Sequence, residues 1–267
     1  AQVRAISRNV EADPLLQAPN EKVQWVQADL EDTGIAFEDD EVLIHVAPIW
    51  TLPALLEQTL KPPKRLIAFS STSHFTKRDS EDPQERKLSQ RLADSELSVI
   101  ERSQELGIGW TIFRPTLIYG GGRDKNISQI GRFINRYGFF PVLGEASGLR
   151  MPVHAADLAT ACIEALRHPQ TQGQAYNLPG GDSISYRTMV ERVFHALERK
   201  PRIVTLPRGL FANAIKVANL LPRYAELKPE MADRMNVDLV FESDKAEADF
   251  GYHSREFIPV TADVLET

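Results

Sequence analysis

Cysteine is almost absent, with Cys162 alone among 267 residues. A single thiol can form neither an intrachain disulfide nor a Cys-based zinc cluster, and such usage suits a reducing compartment, so the cytoplasm is the expected location. Positive charge is not in excess either. With 31 Lys and Arg against 37 Asp and Glu, the net charge is −6. No overall positive field draws the chain to nucleic acid or to an anionic membrane, and any anionic ligand has to be held by local groups. No apolar run reaches the roughly 18 residues of a membrane span, and no signal-peptide pattern is visible. Biased tracts and internal repeats are also missing, which argues against a disordered, collagen-like or repeat protein. No His-Glu-x-x-His or comparable metal-ligand spacing occurs, so no metal is expected.

What is present is enough chain for one large or two small domains at roughly 150 residues each. Short apolar, β-branched runs alternate with longer helical patterns over the first two thirds, the signature of βαβ units around a parallel sheet. The expected strands are Val3–Ser7, Val23–Gln27, Val42–Val46, Arg65–Phe69 and Trp110–Phe113. The last two lead into small polar or Gly-rich loops, Ser70-Ser71-Thr72-Ser73 and Tyr119-Gly120-Gly121-Gly122. Ligands in such sheets bind at the carboxyl ends of the strands. A helix is predicted over Pro83–Leu106, with Leu88, Leu92, Leu97, Ile100 and Leu106 as its buried stripe. A second runs from Ala156-Asp157 to His168, where Pro169 stops it. From Tyr176 the texture changes to a strand and turn (Tyr176–Asp182), a helix (Thr188–Arg199), a short strand (Ile203–Pro207) and an apolar helix over Gly209–Leu221 packed above a cleft.

Five segments in order carry a resemblance: Ala28-Asp29-Leu30, His45-Val46-Ala47-Pro48, Phe69-Ser70-Ser71-Thr72-Ser73, Arg114-Pro115-Thr116-Leu117-Ile118-Tyr119-Gly120, and Pro152-Val153-His154-Ala155-Ala156-Asp157-Leu158-Ala159. Together with a closing Phe250-Gly251-Tyr252 segment, the chain resembles the extended short-chain dehydrogenases/reductases. Within them it is most similar to the NAD-dependent epimerase/dehydratase family that acts on nucleotide sugars. The resemblance implies an α/β fold, a Rossmann-type doubly wound parallel sheet over residues 1–175, with a small C-terminal α+β substrate region over 176–267 interleaved with it. It also implies an NAD(P) cofactor, a nucleotide-sugar substrate and a helix-mediated homodimer.

Two departures qualify that expectation. The family's opening strand and Gly-rich, pyrophosphate-holding turn are not among these residues, so the chain, which starts at Ala1, reads as beginning one βα unit late. The family's Tyr-x-x-x-Lys pair is also missing. Relatives carry a Glu about eighteen residues before the Arg of the Arg-Pro motif; Arg114 points back to Glu96, which places Leu92 at the Lys position and Leu88 at the Tyr position. Leucine cannot pass a proton.

The site residues implied by the resemblance follow. Thr72 would polarise a substrate oxygen. His74 or Tyr119 would replace the missing Tyr as acid/base, although a loop histidine can equally be a surface residue and Tyr119 can equally pack against its loop. Arg8 at a strand end suits a 2′-phosphate with no acidic residue following closely, hence NADP with NAD as the alternative. Asp29 and Leu30 would contact adenine, and Ala47, Pro48, Ser70, Ser71 and Pro115 would line the rest of the dinucleotide. Ser73, Gly120, Asn126 and Arg150 would face the substrate. Arg123, Arg132 and Lys77 could meet phosphates or only solvent. Asp157 is expected to cap its helix and His45 to be a core residue. The expected activity is NAD(P)-dependent redox chemistry on a nucleotide sugar. The rivals are a non-catalytic NADP(H)-binding sensor or assembly module and a reductase of a small carbonyl compound.

Overall fold

The computed structural model describes residues 2–8, 10, 21–29, 37, 41–59, 61–207 and 234–266. In chain order these form β1 (Val3–Ser7), β2 (Val23–Gln27), β3 (Val42–His45), α1 (Leu52–Gln58), β4 (Arg65–Phe69), α2 (Ser73–Thr76), α3 (Pro83–Glu105) and β5 (Gly109–Pro115). There follow β6 (Ile118–Tyr119), α4 (Ile127–Tyr137), β7 (Phe140–Leu143), β8 (Leu149–Arg150), β9 (Val153–His154) and α5 (Ala155–Arg167). The rest comprises β10 (Gln174–Leu178), β11 (Ile184–Ser185), α6 (Tyr186–Ala196), β12 (Ile203–Leu206), α7 (Asp244–Phe250) and α8 (Thr261–Val264). The expected helix over Gly209–Leu221 lies outside the described residues.

β4 and β5 are apolar on both faces, as strands buried from two sides must be. Leu66 and Ala68 of β4, with Trp110 and Ile112 of β5, pack under Leu52, Leu55 and Leu56 of α1 and Leu92 and Val99 of α3. The alternate residues Ile67 and Phe113 pack on the other side against Leu158, Ala161, Cys162 and Ala165 of α5 and Phe250 at the end of α7. Helices therefore cover both faces of a parallel sheet ordered β10-β5-β4-β3. β1 and β2 form a separate parallel pair. This is the doubly wound α/β architecture.

Buried Arg65 fastens the sheet at the amino-terminal edge of β4. Its guanidinium donates to the Gly109 carbonyl at 2.6 Å, Thr111 Oγ1 at 2.6 Å and Thr171 Oγ1 at 2.8 Å. A third apolar cluster, built on Ile127, Ile130 and Ile134 of α4, Val190, Val193 and Phe194 of α6, and Val264 of α8, forms the smaller part. There β7 pairs in parallel with β12. Residue 176, the expected start of the second domain, lies inside β10, and β10 pairs with β5. The sheet thus continues past that point, while the smaller part takes residues from before it.

Several boundaries differ from expectation for local reasons. β3 ends at His45 rather than Val46, and β5 extends to Gly109 and Pro115. α6 starts at Tyr186 because Ser185 caps it, accepting from the Thr188 amide at 3.0 Å. In α3, Leu97 is 58% exposed and the buried stripe runs through Leu92 and Val99, with Ser89, Ser95, Glu96 and Ser103 completing it. Five residues past Leu92, Leu97 is rotated well off that face at about 3.6 residues per turn. α1, α4 and β7 were not expected, although Pro53 stands in the first turn of α1.

Truncating Leu66, fully buried between β4 and the helices, is expected to cost about 2–5 kcal/mol. Leu97→Ala should stay within about 0.5 kcal/mol. Urea unfolding of both variants checks this; equal losses would contradict the assignment of the buried face.

Candidate active site

The loop after β4 is stitched to the end of β5. The Ser70 amide donates to the Phe113 carbonyl at 2.7 Å, and the Thr72 amide and hydroxyl both donate to the Pro115 carbonyl at 3.2 Å. The one-turn helix α2 then leads towards α3, whose Ser89 hydroxyl donates to the His74 carbonyl at 2.6 Å. On α3, Leu88, Leu92 and Glu96 stand four residues apart and share one face.

Glu96 is the hub. It is 3% exposed, and Arg114 of β5 grips it in fork geometry, with Nε at 3.0 Å from both carboxylate oxygens and Nη2 at 2.5 Å. The Ser70 hydroxyl donates to Oε1 at 2.5 Å, and His74 Nδ1 lies 3.3 Å from the same oxygen. Burial alone would raise the carboxyl pKa. Bonds from Arg114 and Ser70 and the charges of Arg114 and His74 outweigh that and hold it below the ordinary carboxylate value.

Two cavities adjoin at the carboxyl ends of the strands, sharing Ser71, Ser73 and Ile118. The larger, about 770 Å³, is walled by Ala47, Pro48, Trp50, Leu88, Leu92 and Leu158, with Ser70 at one edge; among the described residues no Asp, Glu, Lys, Arg or His belongs to its lining. Cys162 also faces it, and burial pushes that thiol up to about 12. The smaller, about 440 Å³, is polar and carries Lys77, Arg150 and Arg234 together with Thr72, Asn126 and Asp124. Glu85 holds both Lys77, at 3.5 Å, and Arg234. Burial and the neighbouring charge of Arg234 pull the Lys77 pKa below its ordinary value, against the opposing pull of Glu85.

The expected site residues divide accordingly. Ala47, Pro48 and Ser70 line the larger cavity, Thr72, Asn126 and Arg150 the smaller, and Ser71 and Ser73 both. Arg150 is less available than its position suggests, because its guanidinium already donates to the Leu149 and Val237 carbonyls at 2.7 Å and to that of Arg234. Asn126 makes no capping bond with its side chain, and Asp124 receives the Ser128 amide instead. His74 lines neither cavity; it stacks on Phe75 with ring centres 4.6 Å apart and reaches the site through Glu96. Leu30 lies outside the described residues.

Other positions require correction. Tyr119 lines neither cavity. It packs edge-on against His154 and Phe257, and burial together with Asp263 pushes its hydroxyl up to about 12, far from a neutral-pH proton donor. Gly120 has φ +120°, and a Cβ there would come within 2.9 Å of His154 Nε2, so its role is to let that ring pass. The Pro115 carbonyl accepts both the amide and the hydroxyl of Thr72. Asp157 does not cap α5: His154 Nδ1 accepts the Ala156 amide, and Asp157 is clasped by Arg255 at 2.6–3.0 Å. Arg8 does have an acidic neighbour, Asp29, at 3.9 Å, brought there by the parallel pairing of β1 and β2. Arg123 pairs with Glu266, and Arg132 donates to the Gly122 carbonyl. His45 is a core residue as expected, 3% exposed, with burial lowering its pKa. Lys77 was underrated by sequence reasoning, and Arg234 and Glu96 were not proposed as site residues. Of these only Glu96 had a sequence signal, its eighteen-residue spacing from Arg114.

The sequence profile of the NAD dependent epimerase/dehydratase family matches residues 28–178. Among curated proteins, a 98-residue stretch, 36% of this chain, is 31% identical to the Arabidopsis thaliana protein named NADH dehydrogenase [ubiquinone] 1 alpha subcomplex subunit 9, mitochondrial. The matches span only 24% and 38% of the length of the curated relatives. Among solved structures, UDP-glucuronic acid 4-epimerase from Bacillus cereus in complex with NAD superposes with TM-score 0.68 at 15% identity, over 99% of this chain and 88% of that one. RMD from Pseudomonas aeruginosa complexed with NADPH superposes with TM-score 0.61 at 13% identity, over 100% and 98%. At these identities the structures establish a shared fold.

Removing the Glu96 charge should expose the cost of the buried fork. Glu96→Gln leaves Arg114 without its counter-charge and is expected to destabilise the chain by about 3–5 kcal/mol. The folded pKa of Glu96 lies below its unfolded value of about 4.3. Its contribution is therefore complete above the unfolded value and is lost as pH falls through the folded one. Unfolding free energies measured from pH 7 downwards should fall less steeply in Glu96→Gln than in the native chain; parallel curves would contradict the assignment.

Proposed function

The chain belongs to the NAD dependent epimerase/dehydratase family, and on that premise we propose that it is an NAD(P)-dependent oxidoreductase acting on a nucleotide sugar. The observation that carries the reading is the contact of an uncharged cavity with a cationic one across Ser71 and Ser73. The first suits a flat, weakly polar ring and the second a phosphorylated, hydroxyl-rich ligand.

The residues present fit the two ends of a dinucleotide. Ala47 and Pro48 leave room at the end of β3, and Ser70 offers a polar atom beside the larger cavity. Arg8 and Asp29, at the ends of β1 and β2, stand where the adenosine ribose would lie in such a fold. When bound, the cofactor supplies or accepts a hydride. Arg8, 72% exposed at its side chain, suits a 2′-phosphate and favours NADP, whereas Asp29 beside it offers a partner for the ribose hydroxyls of NAD. Lys77 and Arg234 hold substrate phosphates, Asn126 and Ser73 bind neighbouring oxygens, and the Thr72 hydroxyl polarises the oxygen that changes oxidation state.

Proton movement has to bypass Leu88 and Leu92. Ser70 stands at the cavity wall, Glu96 accepts its hydrogen bond, and His74, 24% exposed at its side chain, touches the same carboxylate oxygen. These three groups form a continuous path from cavity to solvent, and His74 acts at its outer end as a positioning and proton-exchanging residue. A second reading, a non-catalytic NADP(H)-binding sensor or assembly module, draws on Leu88 and Leu92 at the cavity wall and on the similarity to a protein named as a dehydrogenase subunit.

Calorimetric titration with NADP(H), NAD(H) and a panel of nucleotide sugars separates the readings, since both cofactor and sugar bind in the first and only cofactor in the second. On a sugar that turns over, His74→Ala should lower kcat by about a hundredfold and leave cofactor affinity unchanged. An unchanged kcat would remove the relay.

A further inference from the structure

The two passages from helix to strand in the smaller part lie side by side. α4 leads into β7 and α6 into β12, and β7 and β12 run parallel with Phe140 opposite Ile203, so both passages come to the same edge. They touch there. The Phe140 amide donates to the Arg202 carbonyl at 3.0 Å, and Arg199 Nη2 donates to Asn135 Oδ1 of α4 at 2.9 Å.

This edge carries hydrocarbon and positive charge together. Phe133 packs with Tyr137, Phe139 and Phe140, whose ring centres lie 4.7, 5.7 and 5.5 Å away. Tyr137 is 41% exposed and Phe139 38%, and Val204, two residues past Arg202, is 42% exposed. Arg136, Arg199, Lys200 and Arg202 are exposed beside them, and the Arg136 guanidinium lies 5.4 Å from the centre of the Tyr137 ring. Neither residues 125–144 nor residues 199–207 include an Asp or a Glu, and Glu198 stands just before the second stretch. In a chain of net charge −6, cations from two separate passages thus gather around one aromatic knob.

Both a nucleic acid and an anionic bilayer carry the complementary charge, but they use aromatic rings differently. A strand of bases stacks on open ring faces. Here Arg136 lies over Tyr137, and Phe133 is engaged by three other rings, so the hydrocarbon stands as one interlocked body. That form suits the headgroup boundary of a bilayer, where aromatic rings settle while Lys and Arg meet the lipid phosphates.

We propose that this edge is a peripheral docking surface for an anionic lipid bilayer, with Tyr137 and Phe139 seated at the headgroup boundary and Arg136, Arg199, Lys200 and Arg202 on the lipid phosphates. Such a contact is reversible, because it rests on a few rings and charges. It is independent of how the two cavities are read.

The test sediments the full natural chain with vesicles of phosphatidylcholine alone and of phosphatidylcholine mixed with phosphatidylglycerol, at low and at physiological salt. Binding should occur on the mixed vesicles and weaken with salt. The pair Arg199→Gln and Lys200→Gln should lower the partition coefficient by about thirtyfold. The pair Arg78→Gln and Lys87→Gln, exposed cations outside this edge, should change it by less than about threefold. The indole of Phe139→Trp should be quenched by lipids brominated along their acyl chains. All five positions are exposed, and unfolding midpoints matched to the native chain establish that each variant is folded. No binding to the mixed vesicles, equal binding to phosphatidylcholine alone, or equal losses in the two pairs would overturn the proposal. An unquenched indole on bound protein overturns the seating of the rings. A single-stranded oligonucleotide bound at this edge in place of the vesicles overturns the choice of partner.

Discussion

The buried ion pair between Glu96 and Arg114 is the constraint on which the rest of the site depends. It joins the middle of α3 to the carboxyl end of β5, and through Ser70 and His74 it fixes the loop that follows β4. A carboxylate taken almost wholly out of water is tolerable only with this number of donors, and a guanidinium fork supplies two of them in fixed geometry. With Glu96 held, the preceding turns of α3 have no freedom to rotate. Leu92 and Leu88 must then face the larger cavity, and its lack of charge follows from the placement of a charged pair one turn away.

The contrast between the two cavities follows from the elements that build them. The larger lies among β3, β4, α3 and α5, which come from the doubly wound sheet and its covering helices, and it inherits their hydrocarbon. The smaller lies between the loop after β4, the segment following β5 and the stretch around Arg234 to Phe241, which add Thr72, Lys77, Asn126 and Arg234 to apolar neighbours such as Leu239 and Phe241. Ser71 and Ser73 stand at the junction because the chain turns there from strand to a single helical turn, a place where small hydroxyl residues satisfy backbone groups.

Several strands were legible in the residues themselves. β1, β2 and β4 fall on the segments expected from β-branched and apolar runs, and α3 starts at Pro83 as expected, with Asp82 accepting the Gln84 amide. The Ser70–Ser73 loop and Asn126 were legible through the order of motifs, although their partners were not. Lys77 looked like a solvated charge because nothing local shows that Arg234, more than 150 residues away, shares Glu85 with it. Arg150 and Tyr119 looked available because hydrogen bonds to distant carbonyls and edge-on packing against Phe257 leave no mark in local sequence. Asp29 beside Arg8 is another case, since the parallel pairing of β1 and β2 brings together two residues 21 positions apart in the chain.

Two adjoining cavities of opposite character, one for a weakly polar ring and one for phosphates, carry the proposed function. A crystal structure of the chain with a reduced dinucleotide and a nucleoside diphosphate sugar tests it most directly. The predicted result places the ring against Leu88 and Leu92 and the sugar nucleotide's phosphates against Lys77 and Arg234. Phosphates bound elsewhere, or a ring lying outside the larger cavity, would contradict it.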